Sequence, residues 1–416
     1  MKKLFLTALL LFSTCTASAM SLREAADIAV ANNPALQRTK REIDSAQQSV
    51  KIARGQKGVS VSISGSADAN KTEGADESES VSSRISGSIP IYSGRRLESA
   101  IESAEIGVDI AQLNFYQSID DLVYQVATAY VNALENRATA QVDIETRDNL
   151  IEHEKNIEVL YNAGAKAKID WLRATVESSN AAQTVARSQT DYEVSLTQLA
   201  TLMSLDAISD IDVEDFYINS GLGDIECYLR TAEENRNDLK ADALRIDRGE
   251  TQVTSAKSGW LPEISASAGT GFSARSNKWD PTSDASAGVS ASWNIFDSKV
   301  TRARVDEAEI EVERLKLAMQ SDIESVREDV ITAYKNLRSA IVRVSTTQKA
   351  VELAEEERYI ATERYRAGEG ILLDVLDAEV ALSTAKKNHV SAKYDVIRYH
   401  FQLRHAMGTT LEGAVK

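Results

Sequence analysis

"YNAGAKAKIDWLRATV" occupies residues 161–176, and "YRAGEGILLDVLDAEV" occupies residues 365–380, 204 positions later. Seven of the sixteen positions are identical, among them Tyr161 and Tyr365, Gly164 and Gly368, and Asp170 and Asp374. The same offset lays "SIPIYSGRR" from Ser88 over "SWNIFDSKV" from Ser292, and "TAYVNAL" from Thr128 over "TAYKNLR" from Thr332. Nearer the amino end the offset is 203, pairing Leu36 with Leu239 and Ala53 with Ala256. The chain therefore reads as two copies of one plan, 20–205 and 222–408, joined by the acidic linker 206–221 and followed by a tail, 409–416.

Each copy changes period along its length. Residues 21–57 are helical in character, with Asn33-Pro34 as a kink or restart. "VSVSISGSADAN" (59–70) and "VSSRISGSIPIY" (81–92) then alternate apolar with small polar residues, a strand pattern. The acidic "KTEGADESES" between them suits an exposed loop tip. The second copy repeats this strand pair over 263–296, with Trp279, Asp280 and Pro281 in its loop.

A very long helix follows each pair, predicted over 95–161 and 298–365. In the first, Leu97, Ile101, Ala104, Val108, Ala111, Phe115, Ile119, Leu122 and Val126 step by threes and fours. Sixty-seven such residues span roughly 100 Å at 1.5 Å each. Gly164 and Gly368 then suit the residue past a helix end, before further helices over 169–203 and 373–407. In each copy the helices before the strands and after the glycine turn together match the long helix, and are expected to pack along it.

Composition narrows the function. Residues 1–19 read as a secretory signal: Lys2 and Lys3, an apolar run from Leu4 to Phe12, and Ala17-Ser18-Ala19 as cleavage site. Lipidation at Cys15 is disfavoured by the bulky Phe12 and by Thr14 ahead of it. Cys227 is then the only remaining cysteine, so no internal disulfide forms. Losing Lys2 and Lys3 takes the formal net charge from -16 to -18, which argues against nucleic acid as a partner. No later apolar run is long enough for a membrane-spanning helix. His153, His389, His400 and His405 are scattered without metal-ligand spacing, and no nucleophile elbow or phosphate loop occurs, so neither enzyme, metal site nor cofactor is expected.

Strands of 11 or 12 residues can cross a bilayer when tilted. Four per chain cannot close a barrel, because known barrels begin at about 8 strands and an open edge in lipid leaves backbone groups unpaired. If the strands lie in a membrane, several chains must share one barrel. The alternative is a periplasmic coiled-coil scaffold carrying two hairpins, which leaves the strand length and alternation unexplained.

The duplicated helix-strand-strand-helix plan, the "NNPAL" opening at residues 32–36 and the paired Y-x-A-G turns resemble the TolC family of outer membrane efflux proteins. The resemblance implies a mixed α/β membrane protein: a homotrimer with a shared 12-stranded transmembrane β-barrel, four strands per chain, and a coiled-coil α-helical barrel reaching through the periplasm. It implies an export channel in the outer membrane lipid, part of a tripartite efflux or type I secretion system, with a periplasmic adaptor and an inner-membrane transporter of ABC or RND type as partners. The linker and carboxyl end would form an equatorial belt.

The resemblance also assigns residues. Asp374 and Asp377 match the family's D-V-L-D motif at the periplasmic entrance; three apart on a helix, they share a face. Three chains would gather six carboxylates, a ring that favours cations. Asp170, Tyr365 and Arg173 are gate-locking candidates, with Asp170 accepting a hydrogen bond from Tyr365. Gly164 and Gly368 mark the hairpin tips where an adaptor docks. Two departures stand out: Gly370 where an arginine can reinforce closure, and Arg173 opposite Asp377 in the repeat. The plainer reading of Asp170 and Asp374 is helix N-capping.

Overall fold

The computed structural model describes residues 20–71, 78–212, 222–275 and 281–410. The leader with Cys15, most of the linker, both strand-pair loop tips including Trp279 and Asp280, and the last six residues lie outside them.

Eight helices and four strands are described. In the first copy they are α1 (Leu22–Asn32), α2 (Pro34–Gly55), β1 (Ser60–Asn70), β2 (Ser78–Tyr92), α3 (Arg96–Asn162) and α4 (Lys168–Leu202). In the second they are α5 (Ile225–Asn235), α6 (Asn237–Lys257), β3 (Glu263–Arg275), β4 (Thr282–Ser292), α7 (Val300–Arg366) and α8 (Leu372–Ala406). Both long helices have 67 residues and both helices after the glycine turn have 35.

Local chemistry sets the boundaries. Ser21 and Glu24 open α1 with a reciprocal capping box, each side chain accepting from the other's backbone amide. At the ends of α3 and α7, the amides of Gly164 and Gly368 donate to the carbonyls of Tyr161 and Tyr365. The next amides, of Ala165 and Glu369, reach back to Leu160 and Arg364. This is a Schellman turn in both copies, and it requires the positive φ of 75° and 79° that the two glycines adopt.

The chain packs as two compact units. One comprises Met1–Pro34, Ile119–Asn235 and Val326–Lys416. Its interior centres on Tyr130, Leu134, Val126, Val131, Leu199 and Met203, each fully or almost fully buried. The Tyr130 hydroxyl lies 2.9 Å from the carbonyl oxygen of Met20 and 2.8 Å from that of Asp212, beside a short parallel bridge between Met20 and Ile211.

The other unit comprises Ala35–Ser118 and Arg236–Ser325. Here α2 runs beside the start of α3, tied by Arg54–Glu105 and Lys57–Glu98 ion pairs, both at 2.6 Å. Its four strands form one antiparallel sheet in the order β1-β2-β3-β4, so that the central pairing, β2 with β3, joins the two copies. One face carries Val61, Ile63, Val81, Ile85, Ile89, Ala266 and Val289. The other is mostly serine, with cross-strand hydroxyl contacts of 2.8 Å at Ser60–Ser88 and 2.9 Å at Ser66–Ser82 and Ser265–Ser290.

Two features differ from the sequence reading. The alternation that extends through residue 296 overshoots β4, which ends at Ser292 where its partner β3 begins at Glu263; Trp293, Ile295 and Phe296 follow it, exposed. The α1–α2 break is not a consequence of Pro34 alone. The second copy breaks at Arg236, with φ -60° and ψ 123° against -61° and 122° at Asn33, and has no proline there.

Candidate functional site at the hairpin tips

The two glycine turns and the helix ends around them all belong to the first unit, where α3–α4 and α7–α8 form two helical hairpins. Their tips share one small core: Ile157, Ala174, Tyr365, Leu372, Val375 and Leu376, with Leu150, Trp171 and Ala361 packed against it. Every helix of the two hairpins contributes, so the tip is a single packed body.

The copies depart from symmetry here. Tyr365 is buried at 7% exposure, whereas its counterpart Tyr161 is half-buried and stacks on Trp171, ring centroids 5.6 Å apart. Leu376 is buried while its counterpart Leu172 is 44% exposed. The second hairpin thus turns its apolar residues into the shared core more fully than the first.

Neither aspartate caps its helix. The N-cap residues are Ala167 and Ile371, both without side-chain cap bonds, and Asp170 and Asp374 sit in the third position of α4 and α8. There they complement the helix dipole instead of closing a cap. Asp374 and Asp377 are exposed on α8. Arg173 is exposed on α4, and none of the three forms an ion pair among the described residues.

The hydrogen bond from Tyr365 to Asp170 is not formed. The Tyr365 hydroxyl is buried without a hydrogen-bond partner among the described residues. Burial, and secondarily the Asp170 charge, pushes its pKa up. The Lys166 ammonium lies 4.0 Å from the Tyr365 ring centroid, and His153 packs at 5.6 Å, so the ring is held by a cation and an aromatic edge. Burial, with Arg366 nearby, holds the His153 pKa below the usual imidazole value.

Several residues here escaped the sequence reading. Glu379 is buried on α8, where Asn149 Nδ2 donates to it at 3.0 Å and Arg358 approaches to 3.6 Å. Glu154 accepts from Thr175 Oγ1 at 2.8 Å and from Ser178. These bonds join α3 to α4 and to α8. A charged residue in the apolar stripe of α8, between Val375 and Leu382, is the signal that would have singled out Glu379.

Long helical hairpins with a tightly packed tip and an amphipathic four-stranded sheet, its outer strands unpaired among the described residues, are the fold of one class of outer-membrane protein. The chain belongs to the outer membrane efflux protein family, whose model matches residues 25–204 and 228–409. It is 23% identical over 328 residues to outer membrane protein TolC of Escherichia coli (strain K12), covering 75% of this chain and 66% of the relative, just under two thirds. With outer membrane protein TolC of Vibrio cholerae serotype O1 it shares 23% identity over 427 residues, 99% of this chain and 97% of the relative. Its fold matches the outer-membrane channel OprN with a TM-score of 0.79 at 21% identity, covering 93% of this chain and 90% of that one. Its location is the outer membrane, extending into the periplasm. No described helix is long and apolar enough to cross a membrane.

Proposed function

We propose that three copies of this chain form an export duct in the outer membrane, gated at the hairpin tips and without enzymatic activity. The sheet carries this reading. It is apolar on one face, hydroxyl-lined on the other and unpaired at β1 and β4 among the described residues. Such a sheet is stable in lipid only when its edges meet those of further copies. Four strands per chain reach twelve with three copies. The exposed Trp260, Trp293 and Phe296 beside the strand ends suit the aromatic girdle at a bilayer interface.

At the hairpin tips, the unpaired Asp374 and Asp377 of three copies would form the entrance constriction. Tyr365, Asp170 and Arg173 supply closure through packing and charge rather than through a tyrosine–aspartate bond. Gly164 and Gly368 fix the turns at which a periplasmic adaptor docks, and an inner-membrane transporter of ABC or RND type loads the cargo. That assembly supports a tripartite efflux or type I secretion role.

The test is conductance of the purified protein in a planar bilayer, with a divalent cation added to each side in turn. One-sided block is expected. Asp374→Ala with Asp377→Ala should raise the half-blocking concentration by about tenfold, equivalent to about 1.4 kcal/mol of binding. Block unchanged in the double variant would remove the aspartates from the constriction.

A further inference from the structure

The polar face of the sheet is almost uncharged along its middle. In register across the four strands run Ser60, Ser88, Ser267 and Gly288, then Ser62, Ser86, Gly269 and Ser286, and beyond the centre Ser66, Ser82, Ser273 and Thr282. One row differs: Ser64, Arg84, Gly271 and Asp284. Arg84 Nη2 lies 2.9 Å from Asp284 Oδ2 and 3.1 Å from Oδ1, reaching over the intervening strand.

Gly271 makes that reach possible. A Cβ there would stand 2.7 Å from Asp284 Oδ1, closer than real Cβ atoms come, and 3.0 Å from Arg84 Nη2, a tight contact, so any side chain at 271 would make the pair shift. With no side chain at Gly271, the Arg84 guanidinium passes directly over β3 to the Asp284 carboxylate. Both partners remain about half exposed, at 47% and 56%, and an ion pair that wet contributes little to holding a fold together. Its effect is on what passes the face, not on the sheet.

We propose that Arg84 and Asp284, bridged over Gly271, set the charge selectivity of the exit barrel by keeping its mid-strand charged row neutral. This rests on the proposed three-copy channel, in which the serine face lines the lumen. Three such pairs cancel; losing one partner leaves three like charges around one lumen, the arrangement that confers ion selectivity on pores. The other charges that the register places on this face, Asp68 with Arg275 in the Ser80 row and Glu263 at the start of β3, lie toward the two ends of the strands, and the rows directly beside the Arg84 row carry only serine, threonine and glycine. Cargo of either sign then leaves without being held or refused.

The test measures reversal potentials of purified trimers in a potassium chloride gradient, with Asp374→Ala and Asp377→Ala present so that the entrance does not dominate. Asp284→Asn should shift the cation-to-anion permeability ratio about twofold or more toward anions, and Arg84→Gln as far toward cations. Combining the two, or exchanging the pair as Arg84→Asp with Asp284→Arg, should return the ratio to its starting value and controls for misfolded single variants. Conducting trimers with one unchanged ratio in every variant would overturn the inference and leave the channel standing. Absence of conductance in well-folded trimers even after the entrance substitutions would overturn the channel reading, and the inference with it.

Discussion

Tyr365 carries a buried hydroxyl that no group among the described residues satisfies. An unpaired buried hydroxyl costs about 1–3 kcal/mol, so Tyr365→Phe should leave stability unchanged or raise it by about 1 kcal/mol, read as a shifted denaturation midpoint. A loss of stability would reveal a partner supplied by another copy. His400 gives a second prediction. Arg404 Nε donates to its Nε2 at 3.0 Å, a bond only the neutral ring accepts, and burial followed by the Arg404 charge lowers its pKa to about 4. The unfolded ring titrates near 6.5 and takes up its proton first. The contribution is therefore complete above about pH 6.5 and falls as pH drops toward about 4, by at most about 3 kcal/mol per chain. Thermal melts between pH 7.5 and 5 should show this decline, and His400→Gln should flatten it. His153 shifts in the same direction and adds to the slope.

At the scale of elements, the repeat extends to the turns. Ser204 adopts φ 55° where its counterpart Gly408 has 68°, and both copies place the same backbone bonds there: Ser204 to Thr201 and Leu205 to Ala200, then Gly408 to His405 and Thr409 to Arg404. Serine in the left-handed region costs about 1–2 kcal/mol relative to a residue without Cβ. Ser204 is exposed, so Ser204→Gly should stabilise the protein by about 1 kcal/mol, with the gain visible in the melting temperature. Ala167, at ψ 151° with no capping side chain, is the position where Ala167→Asp should add about 1 kcal/mol to α4. The failed capping assignment of Asp170 and Asp374 has the same origin. Each helix begins two residues before its aspartate, at Lys168 and Leu372, and a sequence pattern locates helix ends less sharply than helix centres.

On the scale of the whole molecule, β1 and β4 leave the sheet open on both sides among the described residues, so assembly should precede stable insertion. With Cys227 replaced by serine, single cysteines stepped along β1 and paired with Ala287→Cys on β4 should cross-link only between copies, giving covalent trimers. Cross-linking within single chains would contradict the shared barrel. The sequence made the long helices legible because the 3.6-residue period is sustained over 67 positions, and the strands because apolar and serine residues alternate. It left the pairing of β2 with β3 unread, since strands from separate copies carry no local mark of their register.

The sequence by itself determined the duplication, the element types, the glycine turns and the family, because each is written in residues close together or in a repeated order. Only the tertiary structure decided which counterpart residues turn inward. Tyr365 enters the tip core while Tyr161 stacks on Trp171, and Arg84 finds Asp284 200 residues away across Gly271. Those choices depend on which helix or strand lies alongside, and packing between distant segments is not encoded in the period of either one.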